Sequence, residues 1–273
     1  MVTHWRLILS EPASGAWNMA LDEALLLSAA SRVELPALRL YSWAPAALSL
    51  GYAQPSSDVN RDSLQRAGWD LVRRPTGGRA ILHTDELTYS ITAPAEDSIM
   101  GGSLLESYHR VSTALLAALA VLQIDASADS MYAPAVTSNR SGPVCFEVPS
   151  NYEITVNGKK LIGSAQARKN NGVLQHGSLP LYGDLTRITS VLSYENEEKY
   201  KEAVESLLAH AGTIMSLTGK NIPLVQAQQA FVRGFSQALN IEFHPSTPSP
   251  MELENAKELQ QTKYASNNWN LRL

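Results

Sequence analysis

The chain has 273 residues, 44% of them hydrophobic, enough for a sizeable core in one large domain or two small ones. Its formal net charge of −4 and isoelectric point near 5.9 leave no basic footprint for nucleic acid, and its single cysteine, Cys145, excludes an internal disulfide and suits a reducing compartment. The N-terminus lacks the basic segment and long apolar run of a signal peptide, and the most apolar stretch, residues 113–124, is too short to span a bilayer, so the expectation is a cytoplasmic protein without a membrane or nucleic-acid partner.

Residues 5–9 predict a short strand. Residues 14–30 predict a helix whose apolar face carries Trp17, Leu21, Ala24 and Leu25, with Asp22 and Glu23 turned away from it. Strands at 37–41 and 48–52 lead to a short helix over 60–67, with Asp62 well placed in its first turn, and a strand at 69–73. The phrase Arg73-Arg74-Pro75-Thr76-Gly77-Gly78-Arg79 follows. Two glycines after Pro-Thr make a tight loop whose amides can face an anion or a carbonyl, and Arg73, Arg74 and Arg79 are suited to bidentate contacts with phosphate or carboxylate. The plain alternative is an exposed basic turn. No Gly-Lys-Ser/Thr follows and a strand comes next, so the loop is neither a P-loop nor a dinucleotide fingerprint. Strands at 80–83 and 87–91 flank a turn holding Asp85 and Glu86. Ser103-x-x-Glu106 is a capping box, and the helix it opens runs to about residue 122 with Leu104, Tyr108, Val111, Leu115 and Leu119 as its buried face. A Ser, Ala and Pro-rich loop over 127–142 leads to Cys145.

Residues 143–181 hold the chemistry. The alternating β-prone run at 152–156 ends at Asn157-Gly158, a strong hairpin signal, and Lys160 begins the return strand. A second pair of strands, 165–168 and 173–181, flanks a polar turn. A hairpin can bring Cys145 and Lys160 together, a thiol and an amine. Each also has a bland reading: a lone cysteine is most often a small buried hydrophobe, Lys160 a solvated turn lysine, His176 a satisfied structural histidine. A Cys–His dyad using His83 or His176 is the generic alternative. No Cys or His cluster has zinc spacing, so no metal is expected in the chemistry. An apolar turn near Val191, a charged helix over 197–210, a helix over 224–239, a strand over 241–244, a stiff break at 245–250 and a polar outer helix over 251–263 complete an α+β chain of mixed, largely antiparallel sheets flanked by helices.

RRPTGGRAILH, NGKKLIGSAQ and LQHGSLPL, with PASGAWNMALDEAL and LSLGYAQ before them, resemble the lipoate–protein ligase, octanoyltransferase and biotin ligase superfamily over roughly residues 5–243. The phrase CFEVPSNYEI resembles the octanoyltransferases that use a cysteine nucleophile; the ATP-using ligases usually have no cysteine there. The resemblance implies a catalytic domain over 1–245 with a helical tail, 246–273, packed on it, and an acyl pocket between sheet layers. It implies that Lys160, not Lys159, is the superfamily lysine, and that the Gly77-Gly78 loop lines the acyl-carbonyl end. It implies substrate contacts at Arg73, Arg74, Gly77, Gly78, Arg79, His83, Gly163, Ser164, Ala165 and His176, with Cys145 and Lys160 as the catalytic pair and no cofactor. The expected reaction carries octanoyl from an acyl carrier protein to a lysine of a lipoyl domain, such as the glycine cleavage H protein, through a Cys145 acyl-enzyme. A neighbouring ammonium favours the thiolate such an attack needs, a part open to Lys160. Amides near Gly77-Gly78 or Gly163-Ser164 can hold the oxyanion, and the chain is expected to act as a monomer. The alternatives are octanoyl transfer between two lipoyl domains, an ATP-dependent lipoate ligase in which Arg73, Arg74 and Lys160 hold an acyl-adenylate and Cys145 is incidental, and a non-enzymatic lipoyl-protein binding module.

Overall fold

The computed structural model describes residues 2–129 and 153–273. In chain order the elements are β1 (Thr3–Leu9), α1 (Gly15–Ala30), β2 (Ala37–Tyr41), β3 (Ala47–Leu50), α2 (Arg61–Arg66), β4 (Asp70–Arg73), β5 (Ile81–His83), β6 (Glu86–Pro94), α3 (Leu104–Val121), β7 (Ser127–Asp129), β8 (Glu153–Val156), β9 (Lys159–Lys169), β10 (Gly172–Pro180), α4 (Glu197–His210), α5 (Ile214–Thr218), α6 (Leu224–Leu239), β11 (Ile241–Pro245), α7 (Pro250–Leu259) and α8 (Asn267–Asn270). Among the described residues an eight-stranded sheet runs β11-β1-β2-β6-β10-β9-β8-β7, and a three-stranded sheet runs β4-β3-β5. Pairing is parallel for β11-β1, β1-β2 and β3-β4 and antiparallel elsewhere.

Local chemistry sets the bounds. Ser103 caps α3 reciprocally with Glu106, and Asn157 and Gly158, at φ 51° and 74°, form the tight β8–β9 turn that needs two left-handed residues. The return strand is one continuous eleven-residue β9 rather than two pieces, because Gly163 and Ser164 stay in the ladder opposite Ser178 and Gly177.

One face of the large sheet packs on α3 and α6. Phe231 and Phe235, one turn apart on α6, are fully buried against Tyr89, each contributing about 2–3 kcal/mol of apolar burial. The other face carries α1 and α7. Here two expectations are corrected. Asp22 and Glu23 are not turned to solvent: both are buried, Asp22 paired with Arg39 of β2, and Glu23 accepting from Lys263 and from the Tyr264 hydroxyl. The polar C-terminal segment is likewise not a mere outer cover. Its Glu252 is buried against the Arg6 guanidinium and its Tyr264 is fully buried. Two smaller corrections concern β6 and α3. Glu86 opens β6 as a buried residue instead of sitting in a turn, and Leu104 is 48% exposed at the start of α3. No helix among the described residues is long and apolar enough to cross a membrane.

Candidate functional site

A cavity of about 480 Å³ opens between the large sheet, the small sheet and the N-terminal turn of α3. Gly163, Ser178, Thr88 and Tyr41 lie opposite one another on β9, β10, β6 and β2. Three strand spacings of about 4.8 Å give that row a span of roughly 14 Å. Lys160, Gly163, Ser164 and Ala165 line the β9 end, and Met19, Tyr41 and Trp43 line the β2 end. Leu104, Leu105 and Tyr108 of α3 add an apolar side wall.

Lys160 is 5% exposed, and its Nζ donates to Glu153 Oε1 at 2.5 Å across the hairpin. Lys159, its neighbour, reaches the opposite way to the carbonyl of Leu208. Glu153 was missed in the sequence, where it reads as one more residue of an alternating strand. The hairpin register was the available signal, since the turn at Asn157-Gly158 folds residue 153 back toward residues 160–162. Cys145 lies outside the described residues.

The Gly77-Gly78 loop covers the cavity with Arg79 beside it. Its fit is tight on the inner side: a Cβ on Gly51 would stand 1.8 Å from the Gly78 carbonyl oxygen, and Gly78 itself has φ 93°. Arg74 lines the cavity but spends its guanidinium on the loop, donating to the carbonyls of Ser49, Gly77 and Arg79. Arg73 is corrected outright. It is fully buried away from the cavity, where its guanidinium donates to the carbonyls of Gly51, Gln54 and Asn270. Its sequence neighbours gave no hint of this, because Asn270 comes from the far end of the chain.

His83 and His176 both line the cavity, each held in a polar network. His83 stacks on Trp43 with ring centroids 4.0 Å apart, faces Ser49 Oγ and Glu86 Oε1 at 2.7 Å each, and Trp43 donates to Thr88. Burial opposes the charge of Glu86, but His83 and hydrogen bonds from Thr88 and Ser178 outweigh it and hold the carboxyl below the ordinary glutamate range. His176 contacts Thr76 Oγ1 at 2.6 Å with one nitrogen and has Asp22 at 3.7 Å from the other. Asp22 also accepts from Arg39, Tyr41 and Ser90. Burial works against its charge as well, and Arg39, with His176 and Ser90, still keeps it below the ordinary aspartate value. For His176 burial dominates over Asp22 and pushes the imidazole below its ordinary value.

That direction has a measurable consequence. A histidine lowered in the fold is fully compatible with stability above its unfolded value, about 6.5. As pH falls below this the unfolded chain takes up the proton first, so stability declines through the window down to the lowered folded value. Urea titrations between pH 7 and 5 should show this decline, and His176→Gln should flatten it. An unchanged slope in His176→Gln would mean that His176 is not the group responsible.

The model of the lipoyl protein ligase A/B catalytic domain matches residues 14–236. The chain is 39% identical to the octanoyltransferase LipM of Brevibacillus brevis, over 98% of this chain and 99% of that one. It is 37% identical to the octanoyltransferase LipM of Bacillus subtilis, over 97% of each. Among solved structures it is similar to lipoate-protein ligase A bound with ATP, with a TM-score of 0.79, 25% identity and 99% of both chains covered. The fold is also shared with a bi-partite lipoate protein ligase from Thermoplasma acidophilum, with a TM-score of 0.81 and 24% identity over 98% of this chain and 96% of that chain.

Proposed function

Because this chain belongs to the lipoyl protein ligase A/B catalytic domain family, we propose that it transfers an octanoyl group to a lipoyl-domain lysine in protein lipoylation, taking it from acyl carrier protein. The observation that carries this reading is the cavity, with a buried lysine at one end and an apolar run of Met19, Leu104 and Leu105 along it. A saturated chain binds such a wall through dispersion and burial, at about 0.8 kcal/mol per methylene removed from water, and asks for no polar partner beyond its carbonyl. The glycine cleavage H protein is the proposed acceptor, a monomer the proposed active form and the cytoplasm its proposed place of action.

The chemistry then runs as two acyl transfers. The Cys145 thiolate attacks the thioester carbonyl, and the carrier's thiolate leaves and takes up a proton. The acceptor's neutral amine next attacks the new Cys145 thioester and loses a proton, and Cys145 returns as the leaving group. Lys160, fixed by Glu153, holds positive charge beside the reacting carbonyl, and the loop at Gly77-Gly78 closes over it. The ATP-dependent alternative needs cations for an adenylate phosphate. The use of Arg73 and Arg74 on main-chain carbonyls supports the transferase over that ligase.

Incubation with octanoylated carrier protein as sole donor, without ATP, should add one octanoyl group to the chain by intact mass. Cys145→Ala should remove the adduct and leave the circular dichroism unchanged. Activity that strictly requires ATP and free lipoate, with release of pyrophosphate, would move the assignment to ligase.

A further inference from the structure

We propose that His4, Glu242 and His244 form a site for a zinc-class divalent transition metal on the outer edge of the large sheet. Strand β11 is that edge, and it runs parallel to β1 with Glu242 directly opposite His4. Alternation puts Glu242 and His244 on the same solvent face. His4 Nδ1 lies 3.0 Å from His244 Nε2 and 3.7 Å from Glu242 Oε2, and one donor atom from each residue falls within 4.8 Å of the others.

Metal–nitrogen and metal–oxygen bonds of about 2.0–2.1 Å at a tetrahedral angle place ligand atoms about 3.4 Å apart. The two observed separations bracket that value. Two imidazoles and one carboxylate suit zinc and its neighbours and not the oxygen-seeking magnesium or calcium. The His4 and Glu242 side chains are about half exposed, at 51% and 58%, so the donors can turn to a common centre without repacking the core, and water can complete the shell. The surroundings favour a dication. Arg6, opposite His244 in register, is already paired with Glu252 and lies 3.7 Å from Glu34. With Glu242 the group carries one positive and three negative charges, and a divalent ion balances the remainder. Neither strand holds a recognisable metal motif by itself, because the two histidines are 240 positions apart. Only the parallel pairing assembles the set.

Such an ion would clip β11, and the α7 segment after it, onto β1. It stands apart from the acyl cavity, none of whose lining residues belongs to it. Calorimetric titration of chelator-treated, untagged protein with Zn²⁺ alone should show one site per chain at neutral pH. His4→Ala and His244→Ala should each weaken it by roughly 100-fold and Glu242→Gln by about tenfold. The metal should raise the melting temperature of the wild type and not of the double variant His4→Ala/His244→Ala. Octanoyl transfer should be the same in all of them, which also shows that the variants fold. Zn²⁺ binding by the double variant as tight as by the wild type would overturn the site, as would the absence of stoichiometric binding in the wild type.

Discussion

Lys160→Ala is expected to lower octanoyl transfer by about 10³-fold, the range typical of losing a group that handles charge or protons at the reacting centre, while Lys159→Ala changes it little. The two lysines are adjacent, yet their settings differ completely. Lys160 is buried at the cavity wall and paired with Glu153, whereas Lys159 caps the carbonyl of Leu208 on the other side of the strand. Lys160→Arg should also fail, because a planar guanidinium does not fit the ammonium's buried place beside Glu153. Removing Lys160 takes an ion-pair partner from the Glu153 carboxylate, which is 13% exposed, so a stability loss accompanies the activity loss. The double variant Glu153→Gln/Lys160→Met separates the two effects. Its melting temperature should return toward the wild type and its activity should not. Transfer that survives in Lys160→Ala, or that collapses in Lys159→Ala instead, would refute the assignment.

The second large effect is expected at a residue that touches no substrate. Gly51→Ala should cut kcat/KM by about 10²-fold, the size of effect a 1 Å misplacement produces. Its new methyl would stand 1.8 Å from the Gly78 carbonyl oxygen, a backbone atom that can yield only by moving the whole loop. The loop is tied at several points that such a move would stretch: Tyr52 donates its amide to the Thr76 carbonyl at 2.8 Å, Thr76 contacts His176, and Arg74 grips Gly77 and Arg79. Gly77→Ala provides the stability control. A Cβ there meets nothing within 4 Å, so its melting temperature should match the wild type while that of Gly51→Ala falls. Wild-type kinetics in Gly51→Ala would show that the loop's position is irrelevant to transfer.

What the sequence made legible was local chemistry. The capping box at Ser103 and Glu106, the left-handed pair at Asn157-Gly158, and the bounds of α4 and α6 all follow from contacts within a few residues of chain. The same locality made Lys160 conspicuous beside its turn. The failures share the opposite cause. Asp22 reads as a solvent-facing carboxylate on a helical wheel because its partners, Arg39, Ser90 and His176, come from three different strands. Arg73 reads as a ligand arginine because the carbonyls that absorb it include that of Asn270, 197 positions away. A charge counts as exposed in a sequence window until its distant partner is known, and burial of a charge is affordable only when that partner arrives. Leu104 failed differently: its helical phase is that of the buried face, but it lies on the first turn, where α3 overhangs the cavity instead of the sheet.

The placement of β1 between β2 and β11 has a kinetic consequence. The buried Arg6–Glu252 pair forms only when two residues 246 positions apart meet, and β1 presents an unpaired ladder edge until β11 docks. Loop-closure entropy rises only logarithmically with length, so the final stability suffers little. The rate is another matter, since contacts of such sequence separation form late and slowly. During that delay the open edge can pair with the same edge of another chain. Refolding from denaturant should therefore lose yield as protein concentration rises, with the loss set by how long β1 waits for its partner strand.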